Sequence, residues 1–178
     1  MLKTLVIKKI SYTEFIPTEF APSSRVWIYQ SNRLFTNEES KQLQFLLNQF
    51  AENWKSHSIP VKGFAGVLFN HFIVLMADET HTIVSGCTTD SSVHFIRQLE
   101  TQFHTSLFHR EHLAFIIDNE IKLLPLSTLH DAFENGTITP NTLYFDNTVS
   151  TKETFMQRWL TPIKNSWIGN RFSLLQEE

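Results

Sequence analysis

Cysteine occurs once in this chain, at Cys87, and glycine only five times. A lone thiol excludes an intramolecular disulfide and a cysteine-based zinc cage. So few glycines argue for a compact fold rather than a loop-dominated one. Neither sign of charge is in excess, since 15 basic residues face 18 acidic ones for a net charge of -3. With no charge run longer than a few residues, composition makes no electrostatic case for nucleic acid or for an anionic membrane as a partner. No stretch approaches the ~20 consecutive apolar residues that cross a bilayer. The apolar run within residues 1–10 is short and interrupted by Lys8-Lys9, so it does not read as a secretory signal. The expected setting is a reducing, bacterial-type cytoplasm.

What the chain has in quantity is aromatic surface, with 16 Phe and four Trp. Each such side chain buries about 150–250 Å², and 178 residues suffice for a sizeable core. Residues 1–24 read as an N-terminal arm: Leu2, Leu5, Val6 and Ile7 suit an edge strand, and Pro17, Pro22 and Ser23-Ser24 then break any regular pattern. Residues 25–168 read as a single α+β domain and residues 169–178 as a C-terminal tail.

Arg25 to Gln30 is short, aromatic and β-branched, which predicts a strand. Thr36-Asn37-Glu38-Glu39 is a capping box, and Leu43, Leu46, Leu47, Phe50 and Trp54 follow at helical spacing. That helix should end near His57. The apolar runs 61–69 and 72–77 predict a hairpin turning at Asn70-His71, and Thr82 to Val84 an added strand. A second helix is expected from near Val93, carrying Phe95, Ile96, Leu99 and Phe103. Leu113 to Ile117 and Ile121 to Leu124 make another hairpin around Asp118-Asn119. Leu126, Leu129 and Phe133 fit a short helix that Gly136 ends. A strand at Thr142 to Phe145 precedes a helix with Ser150-Thr151-Lys152-Glu153 as its capping box, with Phe155, Trp159 and Leu160 on its face and Pro162 as its stop. The chain after Trp167 should loosen. Hairpins that interrupt βα alternation favour α+β, mainly antiparallel sheet with helices packed on it, over a doubly wound fold. Residues 25–118 have the order of a split βαβ, ferredoxin-like core with one added strand.

The stretch Ser85-Gly86-Cys87-Thr88-Thr89-Asp90-Ser91-Ser92 sits between the strand-like run His81 to Val84 and the helix, with Asp90 where an N-cap is wanted. A turn of this kind aims backbone N–H groups and a helix N-terminus at one point, which suits an anion and lowers a thiol pKa. It equally suits a tight, well-capped connection with no ligand at all.

Three segments carry a family resemblance: Trp27-Ile28-Tyr29-Gln30-Ser31-Asn32-Arg33, the Ser85 to Val93 stretch, and Thr151-Lys152 through Trp159, Pro162 and Ser166-Trp167. Together they resemble a family of small uncharacterised bacterial proteins often labelled "ABC transporter ATPase". The resemblance spans roughly residues 25–168 and brings no residue role with it. The label itself fails on these residues. A P-loop needs two glycines bracketing four residues, then Lys and Ser or Thr. Gly63 and Gly66 are too close together, and no Lys follows Gly86. ATPase activity of the ABC type is rejected.

Cys87 is the candidate nucleophile or redox thiol, against the alternative of a small buried hydrophobe. His104, His109, Glu111 and His112 form a histidine-rich stretch, but Arg110 within it disfavours a cation, and no metal or cofactor is expected. Asp118, Glu120 and Lys122 faintly resemble a nuclease set, although Asp118-Asn119 reads as the turn itself. Trp27, Tyr29, Arg33, Arg110, Lys152 and Trp167 are candidates to line a pocket with Ser85, Gly86, Cys87, Thr88, Asp90 and Ser91, since aromatics and cations suit an anionic or planar ligand. The expected function is a non-catalytic domain that binds a small anionic ligand or a protein partner near residues 85–93. A thiol enzyme or redox sensor using Cys87 and a structural interaction module are the alternatives.

Overall fold

The computed structural model describes residues 12–173, so the edge strand expected at Leu2, Leu5, Val6 and Ile7 lies outside the described residues. The described chain groups into two compact units, each assembled from separated segments. The larger comprises residues 17–109 and 147–157, and the smaller residues 12–16, 110–146 and 158–173. The class is α+β, and every pairing between strands is antiparallel. Among the described residues no helix is long and apolar enough to cross a membrane.

The larger unit begins with β1 (Arg25–Gln30), α1 (Asn37–Asn53), a small hairpin of β2 (Lys55–Ser56) and β3 (Ile59–Pro60), then β4 (Lys62–Leu68), β5 (Phe72–Asp78) and α2 (Gly86–Phe103). Its sheet has the order β1-β5-β4, with β5 central and buried at every residue. Tyr29, Ala65, Ile73 and Leu75 meet Leu43 and Leu47 of α1 and Ile96, Leu99 and Phe103 of α2 in one core. The order β1, α1, β4, β5, α2 is that of a ferredoxin-like core up to its last strand. The place beside β1 is taken by an isolated bridge from Arg25 to Thr151, with Val26 N–H donating to the Ser150 carbonyl at 2.9 Å.

Thr36 and Glu39 form the expected capping box on α1, each side chain bonded to the other residue's backbone N–H. The β4–β5 hairpin forms as expected but turns one residue earlier than Asn70-His71, with Phe69 and Asn70 at φ 55° and 51° in the left-handed pair that matches strand twist. The start of α2 differs. Ser85, not Asp90, is the N-cap, and the helix runs from Gly86, two turns before Val93. The reason lies in the small hydroxyl residues. Thr88 and Ser92 extend the buried stripe of Ile96, Leu99 and Phe103 toward the N-terminus. Ser92 Oγ and Thr89 Oγ1 donate back to the carbonyls of Thr89 and Ser85, which hides their polarity. The strand expected at Thr82 to Val84 is absent, because side chains satisfy that backbone: Glu79 accepts from Val84 N–H, and Ser56 Oγ donates to the Ile83 carbonyl.

The smaller unit contains β6 (His112–Ile117), β7 (Glu120–Pro125), α3 (Leu129–Glu134) and β8 (Leu143–Phe145). After α4 (Lys152–Arg158) come β9 (Leu160–Pro162) and α5 (Trp167–Ser173). The sheet order is β7-β6-β8-β9, over a core of Phe115, Leu129, Ala132, Ile138, Tyr144, Ile163 and Ile168. The hairpin at Asp118-Asn119 and Gly136 after α3, at φ 75°, are as expected. Three details of the C-terminal part are not. Thr151 rather than Ser150 caps α4, its Oγ1 accepting from Thr154 N–H at 3.2 Å. That helix ends at Arg158, so Trp159 leads into β9 with its indole edge-on to Phe145 at 5.1 Å. Pro162 therefore ends a strand rather than a helix. Beyond it the chain forms α5 instead of loosening.

Residues 18–24 of the expected arm lie along the larger unit without regular structure. Lys152 and Glu153 N–H donate to the carbonyls of Ser24 and Pro22, at 2.8 and 2.9 Å. The Lys152 and Lys62 side chains hold the carbonyls of Thr18, Glu19 and Phe20.

Candidate functional site

The candidate stretch is the first two turns of α2, and its geometry follows from what is packed beneath it. Ser85 Oγ accepts from Thr88 N–H at 3.3 Å and lies 2.8 Å from the Thr88 hydroxyl. Trp54 Nε1 donates to the Thr88 carbonyl at 3.3 Å from below. Trp27 meets Trp54 edge-on at 5.8 Å, and the Arg25 guanidinium covers the Trp27 ring at 4.7 Å. Arg25 also reaches Glu79 at 3.6 Å and the Val84 carbonyl at 3.5 Å. These contacts fix the backbone of residues 84–88. Thr88 is buried, Ser85 half-buried, and Gly86, Cys87, Asp90 and Ser91 are exposed.

Among the described residues no acceptor is bonded to the N–H groups of Gly86 and Cys87. A Cβ on Gly86 would meet nothing within 4 Å, so packing does not demand glycine there. The site thus offers two main-chain donors at an open helix end, beside an exposed thiol. The alternative in which Cys87 is a small buried hydrophobe is overturned, since the residue is exposed. Asp90 is not a cap, and it sits in the second turn facing solvent. His94 lies seven residues after Cys87, roughly 10 Å along the axis, and is engaged with Gln98 at 3.2 Å.

The other candidate residues stand on several different elements. Trp27 is next to the site through Trp54, as above. Tyr29 is buried against Phe108 at 5.3 Å. Arg33 makes two bonds to Glu39, at 2.9 and 2.7 Å, and a third to the Phe103 carbonyl at 2.6 Å. Phe103 ends α2, so Arg33 stands about 25 Å from its first turn. The hydrogen bonds from Arg33, with the Thr36 N–H bond added, hold the Glu39 carboxyl down at about 2. Lys152 is buried with its ammonium on the Thr18 and Phe20 carbonyls. Arg110 and Trp167 belong to the smaller unit, where the Trp167 indole donates to Tyr144 Oη at 3.2 Å.

Sequence reasoning missed two exposed isoleucines at this site. Ile83, just before the N-cap, is 77% exposed, and Ile59 on β3 is 56% exposed. They belong together, since Ser56 is bonded to the Ile83 carbonyl and pairs with Ile59 across the hairpin. Ile83 fell within the run read as a strand, and Ile59 stood alone between Ser58 and Pro60. Elsewhere, a shallow open depression of about 410 Å³ lies along α1, lined by Glu38, Lys41, Gln42, Phe45, Leu46 and Gln102. His104, Glu111, His109 and His112 do not converge. Among the described residues the ligand atoms that do are on His130, Asp131 and Glu134, all exposed on α3. Lys122 forms an ion pair with Asp118 at 2.7 Å, within the hairpin turn.

No protein-family profile, curated protein or solved structure matches this chain.

Proposed function

We propose that the chain is a cytosolic, non-catalytic domain that binds a protein partner at the first turn of α2. The observation that carries this reading is Ile83, held open to solvent next to two free main-chain donors. Single exposed hydrophobics are ordinary, but Ile83 and Ile59 are joined through Ser56, and Ile83 stands just ahead of the Gly86 and Cys87 N–H groups in the chain. Apolar contact beside backbone donors suits a partner that brings an apolar side chain and a carbonyl or carboxylate oxygen. A small anion would use the donors and leave both isoleucines uncovered, so the protein partner is favoured over it. We extend the reading to membership of the small bacterial family that the three sequence segments resemble. ATP hydrolysis forms no part of it.

A photo-crosslinker attached to the Cys87 thiol tests this in an extract of the source cells. A discrete crosslinked product is expected, lost on Ile83→Asp and on Ile59→Asp while the urea midpoint stays unchanged. A product that survives both substitutions overturns the reading. The exposure of Cys87 also favours a second reading, a thiol enzyme or redox sensor. Alkylation rate against pH separates them: a thiolate that titrates well below the reference of about 8.5 supports thiol chemistry.

A further inference from the structure

Three charged side chains from β4, β5 and α4 read the backbone of one short segment of turns and bends. Lys152 Nζ donates to the carbonyls of Thr18 at 3.1 Å and Phe20 at 2.6 Å, and Lys62 Nζ donates to that of Glu19 at 2.8 Å. Asp78 Oδ2 accepts from Ala21 N–H at 3.2 Å and from Lys62 at 2.7 Å. Lys152 and Asp78 are only 9% and 2% exposed. Buried charges need well-made partners: Lys152 finds them on the carbonyls of Thr18 and Phe20, and Asp78 on Lys62, on the Thr80 N–H and hydroxyl, and on the Ala21 N–H. Phe20 is the one buried side chain of that segment, with the Lys62 ammonium 4.9 Å from its ring centre. A peptide segment is recognised in this manner, by main-chain bonds for affinity and a side-chain pocket for choice.

None of these bonds requires the segment and the cleft to belong to one molecule. The segment joins β1 through the turn Ala21–Ser24, closed by Ser24 N–H on the Ala21 carbonyl, with Pro22 and Ser23 exposed. Opening that turn, together with release of the buried Tyr12 and Ile16, frees residues 12–21 as an arm. We infer that the cleft of Lys62, Asp78 and Lys152 is a peptide-binding site occupied in cis, and that in trans it takes the same segment from a second copy of this chain. A second copy presents the required carbonyls, the Ala21 N–H and the Phe20 ring in the order the cleft already fits, and exchange of an identical element is a low-cost route to a pair.

Complementation between full-length chains tests this. Phe20→Ala spoils the segment and spares the cleft; Lys152→Met spoils the cleft and spares the segment. Each alone should sediment as a monomer, and the equimolar mixture as a pair with the mass of two chains. The double variant should stay monomeric with itself. A mixture that remains monomeric at sub-millimolar concentration, with both chains folded by circular dichroism, overturns the inference. So does a double variant that pairs as well as the mixture. If Lys152→Met does not fold, a labelled peptide of residues 17–24 is titrated into the Phe20→Ala chain. Saturable binding, weakened about tenfold or more when the peptide carries the Phe20→Ala change, supports exchange. Absence of binding overturns it.

Discussion

His71 is buried, and neither of its ring nitrogens makes a well-formed hydrogen bond. Burial lowers its pKa from 6.5 to about 4, and the backbone of Arg33 offsets only part of that. The unfolded chain takes up this proton near pH 6.5, and the folded one not until about pH 4. Stability should therefore be full above that window and fall as the pH drops through it, by up to ~1.4 kcal/mol per pH unit. Glu39, held at about 2, adds its own loss only below 4.5, so the two effects separate. Urea midpoints of wild type and His71→Phe at about pH 7.5 and about pH 5 check this. An equal pH slope in both proteins would sink it. At the N-terminus of α2, Ser85→Ala should cost about 0.5–2 kcal/mol, and exposed Asp90→Ala less than about 0.5 kcal/mol. A larger loss for Asp90→Ala in urea melts would restore Asp90 as the cap. The sequence signal here was misleading for a physical reason. A reading that counts only apolar residues cannot see Thr88 and Ser92 as core, because their polarity is hidden only once the helix forms, with the Thr88 hydroxyl on that of Ser85 and the Ser92 hydroxyl on the Thr89 carbonyl.

At the scale of elements, the outer edge of β4 is closed by one side chain. Gln44 of α1 donates to the Ala65 carbonyl at 3.1 Å and accepts from Val67 N–H at 2.9 Å, standing in for a neighbouring strand's peptide group. Gln44→Leu should cost about 1–3 kcal/mol by leaving both groups unpaired, and should raise concentration-dependent light scattering by freeing the edge. Gln44→Glu keeps the acceptor and should fall between. A Gln44→Leu protein with wild-type stability and scattering would show the edge is protected otherwise. Elements with local signatures were legible: the α1 capping box, the two hairpins and the glycine after α3. The missed ones depend on partners distant in sequence. β9 exists because Leu160 faces Phe145 and Pro162 faces Leu143, so the sheet edge tolerates a proline that looked like a helix stop.

For the whole molecule, the larger unit is completed by residues 147–157, which return after the strands β6 to β8 have been made. They supply the carbonyl for Val26, the Lys152 clamp and fully buried Phe155. A fragment of residues 17–109 should therefore lack a cooperative urea transition by circular dichroism. A sharp transition at the full-length midpoint would show that 147–157 is dispensable. The same long-range assembly is why the candidate pocket was not legible. Trp27 and Arg33 suggested one site by residue type, but Arg33 is bonded at the far end of α2 from its first turn, and residue type carries no information about that separation.

That late return also sets an order of events in time. At ~5–20 residues per second of synthesis, several seconds pass between the emergence of His109 and that of Gln157. Over that interval Val26 has no acceptor from Ser150, and Phe20 emerges with no ammonium to hold its carbonyl. A nascent chain thus waits with the Phe20 ring and an unpaired edge of β1 on display, which is the kind of surface that chaperones at the ribosome collect.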